Sequence, residues 1–253
     1  MPTYCSKRLV SLFFAIVCLP LLWQWAVNYF APPSYLLPSP LQVLQTLISD
    51  RNQILMQSVS TFLEWIIGLL LSILIGFVTA LILFSSAAIR NILEPVLILS
   101  QSVPYLVFAP LLLLWLGLGI LPKIVLVTLS CAFPIALVLE KGLTAAKNEY
   151  ELLVTMLKLP WHSALLHVYL PAAAPDFFAG LRIAVSYAFV SCVLAEFMGS
   201  ESGLGVYLTR AQSSYRADKV IAASILIVII TLASVSIVDF IKNKVVFWSQ
   251  KLR

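Results

Sequence analysis

Six runs of about twenty predominantly apolar residues, at 9–30, 61–84, 92–116, 121–140, 176–198 and 219–241, constrain this chain more than anything else in it. A helix of that length crosses the hydrocarbon layer of a bilayer, and it satisfies its own backbone N–H and C=O groups where no water is present to do so. The fold class that follows is all-α: a polytopic membrane protein of about six transmembrane helices, in a single domain over residues 1–253. Composition agrees, because only 11% of the residues are charged where a soluble domain carries roughly 25%. Pro104, Pro110, Pro134 and Gly180 fall inside these runs, and neighbouring helices can re-satisfy the backbone groups they free.

The charge pattern sets an orientation. With the N-terminus inside, the cytoplasmic set is Lys7, Arg8, Arg90, Lys141, Lys147, Lys158, Lys242, Lys244, Lys251 and Arg253, and the external set is Arg51, Lys123, Arg210, Arg216 and Lys219. Positive residues concentrate on the cytoplasmic side, so both termini are expected inside. The net charge of +5 is then a property of the inner loops and does not indicate nucleic acid. The first run follows Lys7 and Arg8, which also fits a signal peptide. It is longer than a usual signal core, and no small-x-small cleavage site follows, so an uncleaved first helix is expected. Cys5, Cys18, Cys131 and Cys192 have no paired spacing and read as small hydrophobes. The two histidines, His162 and His167, are five apart in one polar loop, so no metal site and no cofactor are expected.

Two connections are long. Residues 31–60 hold turn-rich Ala31-Pro32-Pro33-Ser34 and Pro38-Ser39-Pro40, then a helical segment from Leu41 to Ile48. Residues 141–174 form a cytoplasmic loop that is too polar to span and too apolar for a plain linker. Asn148 can cap a helix there, with Glu149 and Glu151 in the first turn, where the helix dipole favours negative charge. Leu152, Leu153, Met156 and Leu157 line one face at spacings of three and four. Pro160 stops this helix, because the residue before a proline is pushed out of the α region. A second short helix runs from Trp161 to Tyr169, up to Leu170-Pro171. The apolar stripe either packs on the protein's own core, lies in the lipid interface, or docks into a groove of a partner.

The stretch from Leu143 to Leu208 resembles the permease subunits of binding-protein-dependent ABC importers. Those carry a cytoplasmic motif of Glu-Ala-Ala, three residues, Gly, nine residues, then Ile-x-Leu-Pro. Anchored on Leu170-Pro171, the motif places Val168 at Ile, Lys158 at Gly and Leu152-Leu153-Val154 at Glu-Ala-Ala. The end of the motif is kept, while its acidic residue and glycine are absent. Pro160 supplies a turn by another route, and either Glu151 replaces the glutamate or the contact to the ATPase differs. Pro171-Ala172-Ala173-Ala174-Pro175 with Phe177-Phe178-Ala179-Gly180-Leu181-Arg182 resembles the family's entry into its fifth helix. Ala195-Glu196-Phe197-Met198-Gly199 and Ser202-Gly203-Leu204-Gly205 resemble the exit of that helix. Pro38-Ser39-Pro40 and Leu99-Ser100-Gln101-Ser102-Val103-Pro104 also fit, so the likeness covers nearly the whole chain.

Within the family the likeness is to the sulfonate, taurine, nitrate and thiamine-precursor branch. Ser100 to Lys123 and Tyr207-Leu208-Thr209-Arg210-Ala211-Gln212-Ser213-Ser214-Tyr215 look most like hydroxymethylpyrimidine permeases. The resemblance implies a MetI-like fold in a bacterial inner membrane and no nucleotide site on this chain, which contains no GxxxxGK[ST] loop. It also implies separate ABC ATPase subunits docked on the 141–174 loop, a periplasmic or lipid-anchored solute-binding protein, a second permease copy and surrounding lipid. ATPase-coupling residues by this likeness are Glu149, Glu151, Leu152, Leu153, Val154, Met156, Leu157, Lys158, Pro160, Leu170 and Pro171.

Polar groups inside the runs are the remaining signals, because charge in a span is costly and faces a partner or a wet path. Glu64 and Glu94 are expected near span ends, and Arg182 against headgroups or Asp176. Candidates for the translocation path are Gln101, Ser102, Pro104, Tyr105, Tyr187 and Glu196. For Gln101 and Ser102 helix packing is the rival role, and for Glu196 a structural hydrogen bond. Tyr105, Phe108 and Tyr187 suit stacking on a flat solute. A self-contained secondary transporter would need mid-span ionisable groups, of which only Glu196 and Arg182 come close. A membrane-embedded enzyme would need a catalytic cluster at one depth.

Overall fold

The structure is a computed structural model that describes residues 18–247. The expectations for the start of the first run, for Cys5, Lys7 and Arg8, and for Lys251 and Arg253 lie outside the described residues. Helix α1 covers 18–30. It is followed by α2 (Pro40–Ser49), α3 (Arg51–Ser85), α4 (Ala87–Ser102), α5 (Tyr105–Leu116), α6 (Leu121–Met156) and α7 (Trp161–Ala164). A π-helical turn (Leu165–Tyr169) joins α7 to α8 (Leu170–Phe197), and α9 (Leu204–Ser213) and α10 (Ala217–Val245) complete the order.

Four described helices are long and apolar enough to cross a membrane: Arg51–Ser85, Leu121–Met156, Trp161–Phe197 and Ala217–Val245. The run at 92–116 is not one helix. Val103 and Pro104 are extended, with ψ of 124° at both. Proline disfavours the α region at the residue before it and cannot donate to the preceding turn. The expected helix Leu41 to Ile48 is present as α2. Its start is fixed by a capping box, in which Ser39 and Gln42 satisfy each other's backbone N–H, and by Pro40 in the first turn.

The expected loop 141–174 is a correction. Helix α6 runs unbroken through Asn148, so Asn148 caps nothing, and the stripe residues are the last turns of a 36-residue helix. Hydropathy marks where a helix leaves lipid, and no proline stands between Lys141 and Met156 to stop the helix there. On the return, Leu170-Pro171 does not end the second helix. Proline's ring clashes with the carbonyl four residues back, and the wider π turn just before it accommodates that clash, so the helix continues into α8.

Helix α6 is the centre of the bundle and packs most extensively on α8 and α3. Buried Gly68, Ser72, Gly76 and Ala80 recur every four residues on α3 and make a smooth strip. A Cβ on Gly76 would stand 2.7 Å from the Ala132 carbonyl oxygen of α6. Lipid supplies no hydrophobic drive for helices to associate, so close van der Waals approach at small residues takes its place. On the far side of α6, buried Ala184, Val185, Ala188 and Cys192 of α8 face it, and the Cys131 thiol donates to the Ala184 carbonyl at 3.3 Å.

The end that carries α2 and α9 is tied by polar contacts. Thr46 donates to Asp218 at 2.7 Å, Tyr207 donates to Asp50 at 3.1 Å, and Lys219 pairs with Asp50 at 2.6 Å. Burial raises the Asp50 carboxyl, but the bonds from Lys219 and Tyr207 outweigh it and hold the group below its ordinary range. The α3–α6 strip yields a test. Gly76→Val is expected to cost roughly 3 kcal/mol or more through overpacking against a backbone oxygen, read as a lowered unfolding midpoint in detergent, whereas Ser72→Ala is expected to stay within about 1 kcal/mol.

Candidate functional site

The turn between α6 and α7 begins from a helix C-terminus that lacks glycine. Lys158 adopts the left-handed conformation, φ 50°, at the position where the importer motif carries Gly. Its N–H bonds the Thr155 carbonyl at 3.1 Å, and the Leu159 N–H bonds Val154 at 3.1 Å. These two bonds form a Schellman cap, and Leu159 and Val154 belong to the same apolar cluster, the contact that accompanies such a cap. A lysine here costs about 1 kcal/mol relative to glycine. Pro160 follows the cap and prevents the helix from resuming before Trp161, so the sharp turn rests on Lys158 and Pro160 together.

The hairpin's base is packed and its tip is bare. Phe84 of α3 stacks on Trp161 at 5.4 Å and meets Tyr169 edge-on at 5.9 Å. Val154, Leu165, Val168 and Leu170 pack around buried Ala164 and Tyr169. Leu152, Leu153, Met156 and Leu157, by contrast, are 68%, 49%, 72% and 61% exposed. Glu149, Glu151, Lys158 and Pro160 are exposed beside them, and Pro171 is partly buried. Of the three roles open to the stripe, packing on this chain's own core is removed.

Farther along the same helices, a cavity of 510 Å³ is lined by Gln101 of α4, Ser130, Pro134, Leu137, Val138 and Lys141 of α6, and Ile183 and Tyr187 of α8. It brings together two of the sequence candidates, Gln101 and Tyr187. Pro104 is exposed at the α4–α5 break, and the side chains of Ser102 and Tyr105 lie outside the described residues. Ser130, Pro134 and Lys141 were not singled out as wall residues. A small polar residue four before a proline was the available sign, because Pro134 has no N–H to give the Ser130 carbonyl.

Glu196 is not at this cavity. It is 1% exposed and accepts from Thr61 at 2.7 Å and from the Gly205 N–H at 2.6 Å, anchoring the first turn of α9 with a carboxylate that suits a helix N-terminus. Gly203 has φ 121°, and a Cβ there would fall 2.0 Å from Glu196 Oε1. That is why the segment Ser202-Gly203-Leu204-Gly205 can close on it. Glu64 does not snorkel to a surface: it is 3% exposed and paired with buried Lys123 near the start of α6. Its partner was legible as an opposite charge near the start of a neighbouring apolar run. Glu64, Cys192 and Glu196 offer ligand atoms within 4.8 Å of one another, but the Lys123 ammonium already neutralises Glu64. Arg182 pairs with Asp239 of α10 at 3.6 Å and not with Asp176, and Arg90 pairs with buried Glu140 at 3.0 Å.

Residues 72–247 match the family described as binding-protein-dependent transport system inner membrane component. The chain belongs to that family. It is therefore an ABC importer permease: a transport subunit and a multi-pass membrane protein. It is 35% identical to a probable ABC transporter permease protein of Haemophilus influenzae over 96% of this chain and 98% of that one. It is 28% identical to the formylaminopyrimidine transport permease protein ThiX of Halalkalibacterium halodurans, over 95% and 96%. This agrees with the branch that the sequence resembles. The fold is shared with the inward-facing MetNI methionine ABC transporter, TM-score 0.68 at 18% identity, over 76% of this chain and 96% of that one.

The buried pair gives a permease-wide prediction. Lys123→Met is expected to destabilise the protein by about 3 kcal/mol by leaving Glu64 unpaired, while Lys123→Met with Glu64→Leu recovers most of the loss. Thermal unfolding of the purified permease in detergent reads both.

Proposed function

We propose that this permease forms, with a second copy, the membrane path of an ATP-driven importer of the bacterial inner membrane, and that its solute is a small planar heteroaromatic such as an aminopyrimidine precursor of thiamine. The bare apolar tip of the α6–α7 hairpin carries the first part. Four exposed apolar side chains at the end of α6 have no place in this chain's core. Each contributes about 1.5–3 kcal/mol if a partner's groove buries it fully. An ABC ATPase subunit is that partner, and a periplasmic or lipid-anchored binding protein delivers solute at the α2–α9 end. In this arrangement the hairpin, and both termini with it, lie in the cytosol.

The solute reading rests on the cavity and on the relative named as a formylaminopyrimidine transport permease. Tyr187, 57% exposed, supplies a ring face. Gln101 supplies a donor and an acceptor, and the Ser130 carbonyl, without its usual helix donor, supplies a further acceptor. A flat, weakly polar ring with amino groups suits that set. Taurine and nitrate, other solutes of the branch, have no ring to stack on Tyr187.

Two measurements test this. Leu153→Asp with Met156→Asp is expected to abolish co-purification of the ATPase and ATP-dependent uptake while leaving the permease in the membrane. Uptake that persists in that variant and collapses with the proton gradient would instead mark a self-contained secondary transporter. Separately, Tyr187→Ala and Gln101→Leu are each expected to lower pyrimidine uptake about tenfold, the loss of roughly 1.4 kcal/mol of contact, with ATPase binding unchanged.

A further inference from the structure

One charged side chain lines the cavity, and it is a lysine. Glu94 of α4 is not among the lining residues, and Glu140, Asp239 and Asp176 each have a cation beside them. Glu140 is paired with Arg90, Asp239 with Arg182, and Asp176 has Lys242 within Coulomb reach. Lys141 lines the cavity and is exposed, yet among the described residues it pairs with no carboxylate. The rest of the wall, Gln101, Ser130, Pro134, Leu137, Val138, Ile183 and Tyr187, is uncharged. Among the described residues Lys141 is therefore the one charged group on the cavity wall, on the hairpin side of Leu137 and Val138 along α6.

We infer that Lys141 is a specificity-determining residue that makes this cavity admit neutral and anionic solutes and reject cations. A cavity with one sign of charge and low-dielectric walls focuses the field and changes the local concentration of charged solutes. Between a monovalent anion and a monovalent cation of equal size, attraction and repulsion act together, so one unpaired ammonium shifts their ratio about tenfold. Two copies facing one path would place two such charges at its mouth. The inference rests on reading this cavity as the solute path. It narrows the solute class to the uncharged pyrimidine and the anions of the branch, and excludes quaternary ring cations.

The experiment reads the field directly and needs no solute. Leu137 lines the cavity one helical turn before Lys141. Leu137→Cys is built into the full-length permease with Cys5 and Cys18 replaced by serine, leaving only the fully buried Cys131 and Cys192. Open membrane fragments are treated with methanethiosulfonates bearing a sulfonate or a trimethylammonium group, and each rate is normalised to that of a free thiol. The sulfonate reagent is expected to react about tenfold faster than the cationic one. Lys141→Gln brings the ratio close to one, and Lys141→Glu inverts it. Equal normalised rates with Lys141 present, or a ratio that survives Lys141→Gln, overturns the inference. If the reagents discriminate as expected but pyrimidine uptake is absent, the charge filter stands and the solute reading fails.

Discussion

Close approach of α6 to its two neighbours governs the rest of this molecule. Lipid tails are as apolar as leucine, so burying leucine against leucine gains little, and helices associate where small residues let backbones meet. Gly76 on α3 lies against the Ala132 carbonyl, and Gly180 on α8 lies against the Pro134 carbonyl. Helix α6 is thus clasped from both sides at nearly one level. Larger side chains at either glycine would push α3 or α8 outward, and with α8 would go Tyr187 and the wall of the cavity.

Ion pairs then fix register in a bundle whose apolar faces could slide. Glu64–Lys123 ties α3 to the start of α6, and Arg90–Glu140 ties α4 to its middle. Lys219–Asp50 ties α10 to the start of α3. Removing charge from water is expensive, and a buried pair does little better than apolar residues of the same size. What such pairs do supply is discrimination, because a helix displaced by one turn strands an ion in a medium that cannot solvate it. The Glu196 anchor acts in the same way on α9, with backbone N–H groups in place of a cation.

Much of this was legible in the sequence, and the rest failed for identifiable reasons. The helical class, the helix at α2, the membrane character and the family resemblance all follow from composition, period and motif. Helix ends did not. Asn148 and Leu170-Pro171 look like punctuation, but capping residues matter only where a helix has other reasons to end, and a π turn absorbs Pro171. Pro104 breaks its helix while Pro134 does not, and local propensity treats the two alike. Pro134 is held by packing on both faces of α6, whereas the exposed segment at Pro104 has no such support. Gln101 and Tyr187, which share one cavity wall, could be singled out because polar and aromatic groups in apolar runs are conspicuous. Lys141 was missed because a lysine at the edge of an apolar run looks like an ordinary loop cation until its neighbours' partners are known.

The continuity of α6 is the correction with the largest consequence. With the expected break before Asn148, a short helix bearing the apolar tip would be joined to its span through a non-helical segment, and a force on the tip would be lost there. As helix, the 36 residues of α6 form a rod of roughly 54 Å that passes the cavity wall between Ser130 and Lys141 before it reaches Met156. The return arm from Trp161 to Phe197 is likewise unbroken and carries Ile183 and Tyr187 on the opposite wall. Leu143, Ala146 and Val154 of α6 share one apolar cluster with Ala164, Tyr169 and Ala173 of the return arm, so the two arms are packed together at the base of the hairpin. A displacement imposed at the tip is therefore delivered to both walls of the cavity, and the two rods are held close at Gly142 against Asp176 and at Gly180 against the Pro134 carbonyl. A partner that grips Leu153 and Met156 needs no further linkage to change the width of the space beside Gln101.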